Sequence, residues 1–599
     1  MPHVTTETRG TTIPPRDRRR TVVGTVVGLL SVGASLGAAE LASALARTAS
    51  PVVSVGDAVV DNTPPALMEL AISLFGTADK VVLVSGIVIV LLGVGAVLGV
   101  VALRRPAAGY AGPAVLAAAG LAAVLLRRAD DPGAAVPVLV GAAAGASALA
   151  LLLRSARGRL RPAPAEDGPG DASGPGAPDV PDVPATPRTT QTTQADEGAQ
   201  AAENAPGEPV ARGATHTENT PDGQDTPATA RPQDAADPRP GPARGPGRRG
   251  FVLTATGVLA ASGTAGALGR WLPPVLGDAG GPSSLALPAA AEPLAPLPSG
   301  VDLGVPGLTP FSTPSADFYR IDTALTIPRV DAERWTLRVH GLVDRPFEID
   351  MDELLAAELV EADITLTCVS NQVGGDLAGN TRWLGFPLAD LLRRAGVQSD
   401  ADQILSTSQD GWTCGTPTEV VMDGRDALLA VGMGGEALSP VHGFPARMVV
   451  PGLYGFVSAT KWVTDIKLTR FADEQAYWAQ RGWGVRAPIK TMSRVDVPAP
   501  LDRVDSGEVV LAGVAWAQHR GVEAVEFRVD DGEWETAELA KVPGIDTWVQ
   551  WVAETAVDPG RHSVEVRATD TTGHTQPSER VDPVPDGATG WHRVRFTAE

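Results

Sequence analysis

Apolar residues in the first 160 positions form long uninterrupted runs. Four of them, 21–45, 81–103, 108–126 and 134–153, are long enough to cross a bilayer as helices. No charged residue lies near the centre of a run, which argues against a proton relay or a transport site. The pattern predicts a four-helix transmembrane region over 21–157. A simple anchor is the favoured interpretation, and a bundle that docks a partner is the alternative.

The arginines flanking these runs predict the orientation. A basic cluster precedes the first run and places residues 1–20 in the cytoplasm. A cleaved signal peptide is the competing interpretation of the first run, but three further runs follow it. The clusters at Arg104 and Arg105 and from Arg154 onward then also fall on the cytoplasmic side, whereas Arg127 and Arg128 do not.

Residues 158–247 are dominated by Pro, Ala, Gly, Asp and Thr, and positions 162–249 contain no Phe, Trp, Tyr, Leu or Ile. Such a segment cannot bury enough apolar surface to offset its ordering entropy, so we predict a disordered linker. Arg248 and Arg249 then open another apolar run, 248–272. This run is either a fifth transmembrane helix or a twin-arginine-like export signal, and both place the following residues outside the cytoplasm.

The rest of the chain has the patterns of folded domains. After a tether over 273–315, residues 316–487 mix short strands such as 335–341 and 364–368 with short helices at 351–356 and 388–395, which predicts an α+β domain. Residues 488–599 contain strands at 509–516, 522–529, 548–552 and 562–568 between turn sequences. This spacing predicts an immunoglobulin-like β-sandwich.

Composition narrows the chemistry. The formal net charge of -21 argues against nucleic acid as a partner, because a phosphate-binding surface needs clustered cations. Two cysteines cannot supply a disulfide framework, a thiolate zinc site or an iron–sulfur cluster. There is no Cys-x-x-Cys-His motif and no histidine within 21–153, so neither haem nor an iron–sulfur cluster is expected on this chain.

Cys368 is the candidate reactive residue. It ends the apolar strand 364–367 and is followed by a polar turn that contains Gly374 and Gly375. A thiolate at a strand end can meet a ligand, and the glycines allow the backbone to come close to it. A disulfide to Cys414 is the alternative that the spacing leaves open.

The sequence around Cys368 resembles the sulfite oxidase family of molybdopterin-dependent oxidoreductases. The matching segments occur in the family's order: Thr365-Leu366-Thr367-Cys368-Val369-Ser370-Asn371, Gly385-Phe386-Pro387-Leu388, Leu428-Leu429-Ala430, His442-Gly443-Phe444-Pro445-Ala446-Arg447, Val450-Pro451-Gly452-Leu453-Tyr454-Gly455 and Lys461-Trp462. The resemblance covers about residues 317–599 and not the membrane half. It implies an enzyme with a molybdenum–molybdopterin cofactor. Together with the predicted transmembrane runs and their orientation, this predicts a membrane-anchored enzyme whose cofactor lies outside the cytoplasm.

The resemblance also assigns roles to residues. Cys368 would be the catalytic residue and the molybdenum ligand. The cofactor-binding candidates are Tyr319, Arg320, Asp322, Thr323, Asn371, Arg382, His442, Arg447, Ser458 and Lys461. The implied reaction is a two-electron oxygen-atom transfer with a small oxo donor or acceptor. A non-enzymatic binding protein on the same fold is the alternative. The protein is expected to interact with membrane lipid and with a separate electron-transfer partner, and to form a homodimer through the C-terminal domain.

Two departures from the family pattern concern the substrate. Sulfite-oxidising members have arginines after the asparagine, whereas Gln372 and Val373 follow Asn371 here. The segment Trp412-Thr413-Cys414-Gly415-Thr416 fills the region where the family's active-site tyrosine is expected. The branch that reduces methionine sulfoxide also lacks these arginines, but its pattern after the cysteine is not matched. The sequence therefore leaves the substrate open and does not favour sulfite.

Overall fold

The computed structural model of the chain describes residues 15–46, 48–64, 67, 74–75, 78–125, 132–160, 248–275 and 281–599. Most of the predicted linker, together with Arg127 and Arg128, lies outside the described residues. The helices of the N-terminal half are α1 (Pro15–Ala46), α2 (Pro51–Asp61), α3 (Asp79–Arg104), α4 (Pro106–Leu125), α5 (Ala135–Leu160) and α6 (Arg248–Val275).

Four of these helices are long and apolar enough to cross a membrane. Their apolar stretches are Asp17–Ala46, Lys80–Arg104, Ala135–Arg157 and Arg249–Arg270. The apolar part of α4, Gly109–Leu125, is shorter than these four. Four of the five predicted spans therefore correspond to helices that are long enough to cross a membrane. The fifth, α4, has a shorter apolar part in the described residues.

Small residues let α1 pack closely against three other helices. A side chain at Gly28 would collide with the carbonyl of Gly95 in α3, and one at Gly37 would collide with the carbonyl of Ser262 in α6. A Cβ at Gly145 in α5 would lie 2.9 Å from that of Ser35. Close backbone approach of this kind is typical of helix packing in membranes. The α6 helix thus packs against α1, and the choice between a fifth transmembrane helix and a twin-arginine-like signal for 248–272 stays a prediction.

The contacts also fix the helix directions. Residue numbers in α3 and α5 fall as those in α1 rise, whereas α6 runs parallel to α1. The α4 helix leads from the end of α3 to the start of α5, since Gly109 contacts Ala102 and Gly120 contacts Val138. One end of the bundle therefore holds the N-terminus of α1 and the start of α6. The opposite end holds α2, the start of α3 and the end of α6.

Residues 316–487 form one antiparallel sheet and one mixed sheet, together with short helices, which is an α+β arrangement. One sheet has the order β3-β4-β7-β8, with β9 paired to β7, and the other has the order β2-β1-β10-β5-β6. The strands are β1 (Thr336–Gly341), β2 (Phe347–Asp350), β3 (Val360–Thr367), β4 (Ala378–Pro387), β5 (Gln403–Ser408), β6 (Thr413–Pro417), β7 (Leu428–Met433), β8 (Glu436–Ala437), β9 (Arg447–Val449) and β10 (Val463–Thr469). The helices are α7 (Met351–Ala356), α8 (Leu388–Ala395) and α9 (Thr418–Val421).

Local chemistry explains the two predicted helices of this domain. The Asp350 side chain caps α7 by accepting a hydrogen bond from the Glu353 N–H at 2.8 Å. The α8 helix buries one apolar face that includes Leu391 and Leu392, and it ends at Gly396, whose φ is 70°.

The C-terminal residues form two stacked sheets, one of order β11-β13-β17-β16 and one of order β12-β19-β18-β14-β15. Their strands are β11 (Met492–Val497), β12 (Arg503–Val504), β13 (Gly507–Trp516), β14 (Val522–Val529), β15 (Glu535–Thr536), β16 (Glu538–Leu539), β17 (Val549–Val557), β18 (Gly560–Asp570) and β19 (His592–Ala598). The inward-facing side chains, such as Leu511, Trp551 and Phe596, form a core of their own. The two sheets contain the four predicted strands as β13, β14, β17 and β18, and the immunoglobulin-like form of the sandwich stays a prediction. The structure adds five strands that the sequence pattern did not indicate: β11, β12, β15, β16 and β19.

Candidate functional site

A cavity of about 220 Å³ lies in the α+β domain. Four parts of the chain surround it: segment 318–323, the residues around Cys368, the β5–β6 hairpin and the segment before β10. Six of the predicted site residues line it: Tyr319, Asp322, Thr323, Cys368, Arg447 and Lys461. Residues far apart in sequence therefore surround one space, as expected for a binding site.

Cys368 lies at the carboxyl end of β3 and is 8% exposed. Its Sγ accepts a hydrogen bond from the Ser370 N–H at 3.4 Å. Burial raises the pKa of the thiol, and the N–H of Ser370 acts in the opposite direction. Asn371 closes the turn, because its Oδ1 accepts from the Leu377 N–H at 2.9 Å. The asparagine therefore shapes the Cys368 turn without itself lining the cavity.

The C-terminal sandwich supports this strand and turn. Gln518 donates to the Thr367 hydroxyl at 3.0 Å, and the Trp548 N–H donates to the Thr365 hydroxyl at 2.7 Å. A Cβ at Gly374, whose φ is 79°, would collide with the ring of His592. The β-sandwich is therefore part of the support of Cys368 and not only an appended module.

Arg447 is a buried cation that forms no ion pair with any residue that the structure describes. It is 4% exposed, and its Nη1 and Nη2 donate to the carbonyls of His442 and Ala459 at 3.1 and 3.4 Å. No carboxylate of the described residues forms an ion pair with it. Burial lowers its pKa to about 10. Within the described part of the chain the charge of Arg447 is therefore not neutralised by a carboxylate, which favours an anionic ligand.

Lys461 and Asp322 form a second charged group in the cavity wall. Lys461 Nζ donates to Asp322 Oδ2 at 3.1 Å and to the Val441 carbonyl at 3.0 Å. Burial lowers the pKa of Lys461 to about 8. Burial favours the neutral form of Asp322, but Lys461, Arg320 and Lys80 outweigh it and hold the pKa of Asp322 at about 2. Arg320 is itself exposed and reaches the cavity only through this carboxylate.

His442 lies behind the cavity wall. Its Nε2 is 2.8 Å from the Ser315 carbonyl, and burial lowers its pKa to about 4. The ring is therefore neutral, with Nε2–H as the donor. Its Nδ1 is buried and has no hydrogen-bond partner in the described part of the chain. For Tyr319, burial has the opposite effect and raises the pKa of the phenol above its usual range.

Like Arg320, Asn371 and His442, the predicted residues Arg382 and Ser458 do not line the cavity. Arg382 pairs with Asp363 at 2.9 Å and lies 3.6 Å from Glu361, so its charge is already neutralised. Ser458 donates to the carbonyls of Leu453 and Tyr454, both at 3.1 Å. Neither side chain lines the cavity. This placement does not support cofactor contact by Arg382, whereas Ser458 shapes the segment that leads to Lys461.

The disulfide alternative is wrong. Cys368 and Cys414 are both free and buried, and they lie in different environments. Cys414 is fully buried on β6, with its Sγ 3.8 Å from the Thr416 hydroxyl. Only Cys368 of the two lines the cavity.

Several lining residues were not predicted from the sequence. An aromatic wall is formed by Trp412, Phe456, Trp478 and Trp483, with ring centroids of Trp478 and Trp483 6.0 Å apart. Arg481 lines the same side and stacks on Tyr477 at 3.6 Å. Two tryptophans and an arginine within positions 478–483 are a local signal that could have identified this segment.

Comparisons with known proteins match most of the α+β domain that contains the cavity. The family model described as the oxidoreductase molybdopterin binding domain matches residues 324–478. YuiH, an uncharacterized oxidoreductase of Bacillus subtilis (strain 168), is 33% identical over 156 residues, which are 26% of this chain and 75% of that protein. The chain belongs to the sulfite oxidase-type family of molybdopterin-binding oxidoreductases.

Longer relatives share only part of their length with the chain. The NADH nitrate reductase of Spinacia oleracea is 27% identical over 319 residues, which are 43% of this chain and 34% of that protein. The mitochondrial sulfite oxidase of Drosophila melanogaster is 27% identical over 324 residues, which are 45% of this chain and 56% of that protein. The chain thus spans about a third of the first and just over half of the second. The family is one of oxidoreductases, so the protein is an enzyme and the alternative of a non-enzymatic binding protein is set aside.

The molybdopterin-binding domain implies a molybdenum–molybdopterin cofactor, and the residues of the cavity fit such a group. A soft thiol lies at the cavity, as a molybdenum centre requires. Arg447 carries a buried charge that no carboxylate of the described residues neutralises, and Lys461 has a third N–H without a partner among those residues. Both suit a phosphate. Cys368, Arg447 and Lys461 are therefore the residues that would hold it.

Proposed function

We propose that the protein is a membrane-anchored, molybdopterin-dependent enzyme that transfers an oxygen atom to or from a small substrate outside the cytoplasm. The proposal rests on one observation: the Cys368 thiol and the Arg447 guanidinium, which pairs with no carboxylate of the described residues, line one cavity. When bound, the cofactor supplies the two-electron redox change and the oxo transfer. The chain's own residues bind it, orient it and shape the space for the substrate.

Each residue has a distinct task in this proposal. Cys368 supplies the thiolate, and the Ser370 N–H stabilises the negative sulfur by donating to it. Arg447 and Lys461 bind the anionic part of the cofactor through directed donors and a compact charge. His442 lies behind the cavity wall and supports Arg447, because its carbonyl accepts a hydrogen bond from Arg447 Nη1 at 3.1 Å.

We propose that the substrate carries an apolar group and is not sulfite. Gln372 and Val373, which follow Asn371, do not line the cavity. Of the described arginines, only Arg447 and Arg481 line it, and Arg481 donates to the Asp61 carbonyl at 3.2 Å. The side chains of Trp412, Phe456, Trp478 and Trp483 make part of the cavity wall apolar, which favours an apolar group of the substrate over a hydrated oxyanion.

Purified full-length protein is expected to contain about one molybdenum atom and one pterin per chain. Elemental analysis and release of the fluorescent pterin measure both. The same preparation tests two other expectations. It should show no haem absorption band, because electrons pass to a separate partner. Light scattering should give the mass of a dimer, because we propose that the C-terminal sandwich is of the dimer-forming immunoglobulin-like kind. Protein that is folded but free of molybdenum and pterin, after expression in a host that makes the cofactor, would overturn the proposal.

The proposed orientation rests on the two ends of the bundle. Arg18, Arg104 and Arg249 lie at the end that holds the N-terminus of α1, and positive charges favour the cytoplasmic side. The catalytic domain contacts the opposite end, where Lys80 and α2 lie. This arrangement supports an extracytoplasmic active site.

Reporter fusions are expected to show this orientation directly. A reporter joined after Ser155 should lie in the cytoplasm, and a reporter joined at Glu599 should lie outside it. The reason is that α5 and α6 end at opposite ends of the bundle. A β-lactamase and a green fluorescent protein at each position give complementary signals. A fluorescent fusion at Glu599 together with an inactive β-lactamase there would contradict the proposed orientation.

A further inference from the structure

The segment between the first two long helices of the membrane half reaches the catalytic domain. Two contacts carry it: Lys80, at the start of α3, binds residues 322–324, and Asp61, at the end of α2, accepts from Arg481. A side chain larger than hydrogen at Gly56 of α2 would lie 2.5 Å from Leu325. Asp322, Thr323 and Arg481 line the cavity, so the membrane half contacts two segments of the cavity wall.

The Lys80 ammonium is bound three times by one short segment. Its Nζ donates to the Asp322 carbonyl at 2.8 Å, to Asp322 Oδ1 at 3.1 Å and to the Ala324 carbonyl at 2.7 Å. An ammonium group has three N–H donors, and this geometry gives each of them an acceptor. The side chain of Lys80 is 32% exposed, whereas that of Asp322 is only 7% exposed. Lys80 therefore fixes both the backbone and the carboxylate of this part of the cavity wall.

Asp322 transmits this contact to the cofactor-binding lysine. Its two oxygens are divided, with Oδ1 held by Lys80 and Oδ2 held by Lys461, while Arg320 contacts both. Without Lys80, the exposed Arg320 and the buried Lys461 would remain as cations in contact with Asp322, so the carboxylate would interact more strongly with Lys461. It would then compete with an incoming phosphate for the same ammonium.

We propose that Lys80 is a positioning residue of the catalytic site, through which the membrane bundle holds the wall segment 322–324 and keeps Lys461 available for the anionic cofactor. The bundle is thereby more than an anchor, because its second long helix begins with a residue that completes the site. The inference rests on the proposed function, since it assigns Lys461 to the cofactor.

The test compares the rate at which full-length protein in detergent loses molybdenum and pterin at elevated temperature. Lys80→Gln is expected to lose both about tenfold faster than the unaltered protein, the size of effect typical of one partly buried charged hydrogen-bond donor. Lys80→Arg retains the charge and is expected to lose them at nearly the unaltered rate. Arg105→Gln is the matched control, because it removes one exposed positive charge at the other end of α3.

The outcomes separate this inference from the proposed function. Unaltered protein that contains no molybdenum would defeat the proposed function and this inference with it. Loaded protein in which Lys80→Gln loses the cofactor no faster than the unaltered chain would overturn the inference alone. Equal acceleration by Lys80→Gln and Lys80→Arg, or by Lys80→Gln and Arg105→Gln, would also overturn it, because the effect would then not depend on the Lys80 charge.

Discussion

Cys368→Ser is expected to abolish turnover while the protein stays folded. Oxygen and sulfur differ little in size, so the buried strand end can accept serine, but a hydroxyl cannot replace a soft thiolate on molybdenum. Changes in the outer shell of a metal site alone cost about 10- to 100-fold. Replacing the thiolate should therefore lower kcat by more than about a hundredfold. The rate is measured with an artificial electron mediator and normalised to molybdenum content.

Cys414→Ser is the matched control for this variant. It makes the same substitution at the second buried cysteine, which does not line the cavity. Its activity per molybdenum is expected to stay within about twofold of the unaltered protein, even if burying a hydroxyl lowers stability by about 1–3 kcal/mol. A Cys368→Ser variant that turns over as fast as Cys414→Ser would remove Cys368 from the mechanism.

Arg447→Met is expected to separate cofactor binding from stability. The guanidinium is buried, and among the described residues no carboxylate pairs with it, so its replacement by an apolar side chain removes an unfavourable buried charge. The cofactor-free protein should therefore be as stable as before, or more stable by about 1–3 kcal/mol. The loss of a directed, buried phosphate donor should at the same time weaken cofactor binding by roughly a hundredfold. Chemical denaturation and molybdenum analysis measure the two effects.

Arg382→Met provides the opposite control. Arg382 neutralises Asp363, whose side chain is only 8% exposed, so its removal leaves a nearly buried carboxylate without its partner. We expect lower stability, by about 1–3 kcal/mol, with normal molybdenum content in the folded fraction. If Arg447→Met instead destabilised the protein and kept its molybdenum, Arg447 would be a structural residue and not a cofactor ligand.

Local sequence determined much of this protein. The apolar runs predicted the long helices, because a bilayer requires about 20 consecutive apolar residues and few other structures do. The helices at 351–356 and 388–395 agree with the structure to the residue, since an aspartate cap and a terminal glycine are local signals. The motif around Cys368 likewise pointed to the cavity and to Arg447 and Lys461, because a family motif combines residues that act together.

Only the tertiary structure decided which charges are free and which distant segments share the cavity. The sequence could not distinguish Arg382, which is neutralised by Asp363 on the neighbouring strand, from Arg447, which has no such partner among the described residues. It also could not show that Cys368 and Cys414 lie apart, or that Lys80 meets Asp322 across 242 positions. The physical reason is the same in each case: helix caps and apolar runs depend on neighbours in sequence, whereas the state of a charge or a thiol depends on what folding brings next to it.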